Sequence, residues 1–96
     1  MTWIRTIPPA EAAPELQRIY ETLKDLYPPE YGTAVEAVKR PDGGTDSIVA
    51  AHSLLPEAML HTFRAHLALM QPDMPLTRRQ QEMISTVVSA LNRCVY

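Results

Sequence analysis

The stretch LTRRQQEMISTVVSALNRCVY, residues 76–96, decides the fold class. Its apolar residues Met83, Ile84, Val87, Val88 and Leu91 recur at the spacing of one helical stripe. Thr77 is suited to cap the helix, because its hydroxyl can accept a bond from an orphan amide of the first turn. Gln80 stands three residues on, where its side chain can reach back to the cap amide and complete a capping box. Asn92 tolerates the left-handed turn of a helix end, so the spacing predicts a stop there. Arg93 and the only cysteine, Cys94, follow.

Glu82 is the chemically distinctive residue of this helix. It lies beside the stripe in this reading, two turns from Ser89 on the same side and twelve residues before Cys94. A carboxylate near a thiol can relay a proton to or from it. The plain structural alternative is an ion pair with Arg78 at i−4. Spacing alone does not choose between them.

The setting LTRRQQEMISTVVSALNRC resembles the front of the active-site motif of the alkylhydroperoxidase D-like and carboxymuconolactone decarboxylase family, and most closely its peroxidase-related branch. The preceding HSLLPEAMLHTFRAHLALM, residues 52–70, resembles a phrase of that branch. The likeness covers residues 46–96, with a loose match before that. It implies an all-α domain of four to five helices, completed by oligomerisation. It also implies an antioxidant oxidoreductase that reduces hydroperoxides through a Glu–Cys–Cys–His relay. The partners implied are a hydroperoxide, a dithiol reductant and further copies of the chain. No cofactor is implied. In the family the motif continues as Cys-x-x-Cys with a His beyond, positions that would fall past Tyr96. The resemblance therefore carries over to Glu82 and Cys94 as catalytic residues and to nothing else. Cys94 matches the cysteine that usually resolves the intermediate, not the one that attacks peroxide. The expectation is an impaired peroxidase with little turnover. The alternatives are a non-catalytic helical oligomerisation domain or pseudoenzyme, and a lyase of the carboxymuconolactone decarboxylase type.

Working outward, 96 residues make one helical domain, 1–96. The net charge of −2 gives no electrostatic case for nucleic acid or for an anionic membrane. No apolar run approaches the roughly 20 residues needed to span a bilayer. Residues 1–13 lack a cationic start followed by an apolar run, so no secretory signal is expected. A single cysteine fits a reducing, cytoplasmic setting.

Pro8 and Pro9 impose an extended lead-in, with Trp3 and Ile4 expected to dock on the core or on a neighbouring subunit. Pro14 opens a helix whose Leu16, Ile19, Tyr20, Leu23, Leu26 and Tyr27 share one face, and Pro28 with Pro29 ends it. Residues 34–38 are expected to form a short helix and 39–44 a turn. Thr45 or Asp46 is expected to cap a short helix through Ile48, Val49 and Ala51. Pro56 starts another, with Met59, Phe63, Leu67 and Met70 on one face and Leu60 beside it. Pro72 and Pro75 close it.

Three histidines fall in this region. His61 and His66 are five apart and point away from each other, so no metal site is expected. His66 is expected to line a pocket, and His61 to be solvated. His52 lies in the resembling phrase without a catalytic role.

Overall fold

The computed structural model describes residues 4–29, 36 and 48–94. Among these residues the chain is all-α, with no strand. A 3₁₀ turn at Pro9–Glu11 precedes four α-helices among the described residues: α1 (Pro14–Leu26), α2 (Ile48–Ala51), α3 (Pro56–Leu69) and α4 (Arg78–Leu91). The expectations for Trp3, for residues 34–38 and 39–44, and for the cap at Thr45 or Asp46 lie outside the described residues.

Proline sets the element boundaries. Pro8 is extended, and Pro9 opens the 3₁₀ turn. Pro14 occupies the first turn of α1, where its missing amide costs nothing and Glu15 meets the positive helix end. Tyr27 leaves the helical region at φ −69°, ψ 140°, as a residue before proline is forced to do. Pro56 and Glu57 repeat the opening pattern in α3.

The core is the meeting of two stripes. Leu16, Ile19 and Leu23 of α1 are buried, and so are Met59, Phe63 and Leu67 of α3. The first set falls at i, i+3 and i+7 and the second at i, i+4 and i+8, each one helical face, so α1 and α3 pack against each other. Ala12 completes the buried cluster, with Ile7, Tyr20, Tyr27, Val49 and Leu60 packed around it. Ile4 does not dock on the core of its own chain; it is exposed, and Ile7 takes that place. Three residues past the short lead-in of Ile4, the chain is held by hydrogen bonds that Ile4 lacks.

Those bonds form a polar clasp. The Ile7 amide donates to Ser53 Oγ at 2.7 Å, and the Tyr20 hydroxyl donates to the Ile7 carbonyl, also at 2.7 Å. Ser53 is buried and is itself bonded to Tyr20. The clasp ties the N-terminal segment, α1 and the turn before α3 into one unit. His52, beside Ser53, meets Phe63 edge-on at 5.2 Å between ring centroids, and its Nδ1 lies 2.8 Å from the Ile48 carbonyl. A carbonyl only accepts, so Nδ1 carries a proton and donates.

Helix α4 is built differently. Its ends are well made, but its apolar stripe is not covered. Met83, Ile84, Val87, Val88 and Leu91 are each exposed by half or more, Leu91 by 79%. Gln81 is the one buried residue of α4, and its amide donates to the Leu69 carbonyl at 2.8 Å. The half-buried residues are Arg78, Glu82 and Ser89. The face of α4 turned toward the rest of the chain is thus polar, and the apolar face is turned to solvent.

Candidate thiol site

Both ends of α4 are fixed by local hydrogen bonding. At the start, Thr77 and Gln80 form the capping box: Gln80 N donates to Thr77 Oγ1 at 3.3 Å, and Thr77 N donates to Gln80 Oε1 at 2.9 Å. At the finish, Arg93 N donates to the Ala90 carbonyl, and Cys94 N donates to the Ser89 carbonyl at 2.9 Å. This pair of bonds is a Schellman closure, which needs a left-handed residue just past the cap. The residue that supplies it is Arg93, at φ 53°, and not Asn92, which stays right-handed at φ −80°. The stop at Asn92 is where the sequence places it; the left-handed residue is one position later, because the closure demands positive φ after the cap rather than at it.

Cys94 is thereby held by its own amide at a closed helix end, and it is exposed. Glu82 stands on the first turns of the same helix. Its Oε1 accepts from Arg78 Nε at 2.9 Å, and its carbonyl accepts from Thr86 Oγ1 at 2.7 Å. Glu82 shares the half-buried face with Arg78 and Ser89, as the seven-residue spacing to Ser89 requires. It is not beside the apolar stripe: at about 100° per residue it falls roughly opposite the middle of that stripe. Nine residues at about 1.5 Å each separate Glu82 from the end of α4 at Leu91 by roughly 14 Å, and Cys94 lies past that end. The structure therefore places the two residues at opposite ends of α4 and does not bring them together. Direct proton transfer between them is geometrically closed.

The sequence does not announce the cleft beside the start of α4. Leu26, Tyr27 and Pro29 from the end of α1, Met70 and Pro72 from the end of α3, and Arg78 and Gln81 of α4 line it. Its volume is about 390 Å³, and its lining is largely apolar. The signal that could have found it is the pair of proline breaks, Pro28–Pro29 and Pro72–Pro75, which end two helices and leave a gap between them. His66 does not line this cleft and is exposed, because the α3 stripe of Met59, Phe63 and Leu67 carries the packed face past it. His61 is exposed and lies 3.8 Å from Glu57 one turn earlier.

Among the described residues no three His, Cys, Asp or Glu side chains gather as metal ligands would. No helix among them is long and apolar enough to cross a membrane. No protein-family model, no curated protein and no solved structure matches this chain.

Proposed function

We propose that this chain is an impaired peroxidase-related oxidoreductase of the alkylhydroperoxidase D-like family, acting on hydroperoxides through thiols with little turnover, in the cytoplasm and as a homo-oligomer. The observation that supports it best is the exposed Cys94, held at the Schellman closure of the helix that carries Glu82. In this chemistry a thiolate attacks the peroxide oxygen. The O–O bond breaks, the sulfur becomes a sulfenic acid, and the alcohol or water leaves with one proton. A second thiol condenses with the sulfenic acid, releasing water and forming a disulfide, and an external dithiol reduces that disulfide. Cys94 is the only cysteine of the 96 residues, so although it stands at the family's resolving position it takes the attacking role here, and slowly, as an impaired peroxidase would. Glu82 serves as a distant member of the proton relay, released from Arg78 when it takes a proton.

The test is peroxide treatment of the purified 96-residue chain in the presence of dimedone, with mass spectrometry of the cysteine peptide. Capture of a sulfenic acid on Cys94, reversed before capture by dithiothreitol and absent in Cys94→Ser, is expected. An unmodified Cys94 at millimolar peroxide sinks the reading.

A second reading is favoured by a separate observation. Glu82 is satisfied by Arg78, and the apolar face of α4 is open, which is the pattern of a non-catalytic helical association domain. It predicts intact self-association with no peroxide chemistry at Cys94.

A further inference from the structure

We infer that the cleft beside the start of α4 binds a small uncharged ring compound that bears a hydroxyl, such as an alkylphenol. The site is separate from the thiol. Helix α4 begins at the cleft and runs for 14 residues, about 20 Å, before Cys94 is reached. The inference therefore does not rest on the peroxide chemistry of Cys94. Size is the first observation behind it. The volume of about 390 Å³ falls in the range of small-molecule sites, and at roughly 30 Å³ for a water-sized group it holds about thirteen of them. That is one substituted ring, and it is too small for a nucleotide or a peptide. The second observation is the apolar wall. Leu26 and Leu76 are 39% and 45% exposed, and Tyr27, Pro28 and Pro72 add an aromatic ring and two rigid pyrrolidine rings. Covering such surface drives binding, and an aromatic wall favours a ring against it.

The third observation is an open acceptor. Gln81 lines the cleft and is only 8% exposed. Its Nε2 is committed to the Leu69 carbonyl at 2.8 Å, and no described residue donates to its Oε1. Among the described residues no side-chain nitrogen or oxygen sealed from solvent lacks a partner, so Oε1 is open, and the cleft is what this buried side chain opens to. An amide oxygen only accepts, and a ligand hydroxyl is the group that satisfies it. The fourth observation is charge. Arg78 is the one charged residue of the lining, and Glu82 already meets it at 2.9 Å. The ends of α1 and α3 and the start of α4 gather at the cleft, so helix termini of both signs offset one another there. An ion would give up its hydration for no unmatched countercharge, whereas a neutral ligand has no such loss.

The test uses the full chain and three matched probes: para-propylphenol, para-propylanisole, which has the donor methylated, and para-propylbenzoate, an anion. Binding is read from proton–nitrogen correlation spectra. The phenol is expected to bind with a Kd between about 10 µM and 1 mM, the range open to a ligand of its size. It should shift the Gln81 side-chain amide and the backbone amides of Tyr27, Met70 and Leu76, and leave that of Cys94 in place. The anisole and the benzoate are each expected to bind at least about fivefold more weakly. Equal binding of the anisole overturns the role of Gln81, and tighter binding of the benzoate overturns the neutral ligand. Absence of shifts at the cleft with about 2 mM phenol overturns the site, as do shifts centred on Val87 and Val88 instead. Leu76→Trp, at an exposed position, should fill the cleft and weaken the phenol at least about fivefold with unchanged far-ultraviolet circular dichroism; full binding by that variant overturns the location. Gln81→Met should bind phenol and anisole alike, and if it fails to fold, the comparison of probes on the parent chain still decides. Cys94→Ser should bind the phenol as the parent does, so failure here and failure of the peroxidase reading are separate results.

Discussion

Ser53 shows how one small side chain can organise a junction. It is 1% exposed, yet polar, and a buried hydroxyl survives only where it is bonded. It accepts from the Ile7 amide across 46 residues of sequence and bonds to Tyr20, whose hydroxyl returns to the Ile7 carbonyl. Ser53→Ala leaves the Ile7 amide without that acceptor, and urea unfolding is expected to show a loss of about 1–3 kcal/mol. The same cluster sets an alkaline limit. Burial pushes the Tyr20 phenol above its usual value of 10.0, with the Ser53 bond pulling it partly back, and burial also raises Tyr27. A phenol raised by folding favours the folded state while it is protonated. That contribution is complete below pH 10 and is lost as pH rises through the folded values. The melting temperature should therefore fall as pH is taken above 10, and less steeply in Tyr20→Phe. A flat profile there would contradict the buried clasp. None of this was legible in the sequence, where Ser53 stood only as part of a phrase. Nothing local marks a bond that spans 46 residues.

At the scale of the element, α4 was the most legible part of the chain in one respect and the least in another. Its ends were readable because capping is local: Thr77 and Gln80 are three apart, and the closure at Arg93 reaches back only to Ser89 and Ala90. Its orientation was not readable, because a stripe says that a helix owns an apolar face and not what lies opposite. The placement of Glu82 suffered from the same gap, since the polar face it occupies is the one turned inward. The helix ends yield a prediction of opposite signs. Arg93 holds φ 53°, a conformation that costs a residue with a Cβ on the order of 1 kcal/mol and costs glycine little. Arg93→Gly should stabilise by about 0.5–1 kcal/mol, while Thr77→Ala should cost about 1 kcal/mol by removing the cap. Both are measurable by denaturant titration followed at 222 nm. Destabilisation by Arg93→Gly would mean that the arginine side chain contributes more at the negative helix end than its backbone loses.

At the scale of the whole molecule, the chain divides into a part that is closed and a part that is not. The α1–α3 pair and its clasp own the buried cluster, while α4 turns its apolar residues outward. Two substitutions of equal chemistry should therefore behave oppositely. Leu23 is 1% exposed at the centre of the core, and Leu23→Ala removes packing on all sides, at about 2–5 kcal/mol. A small domain has only about 5–10 kcal/mol in total, so this change should shift the melting curve by tens of degrees or abolish the transition. Leu91 is 79% exposed, and Leu91→Ala in dilute protein should fall within about 0.5 kcal/mol of the parent. The distinction is in concentration. As the chain is raised from sub-micromolar to tens of micromolar, association should add stability to the parent and less to Leu91→Ala, because only what binds the folded state stabilises it. Leu23→Ala should keep its deficit at every concentration. A parent melting temperature that does not move with concentration would mean that no second copy covers α4.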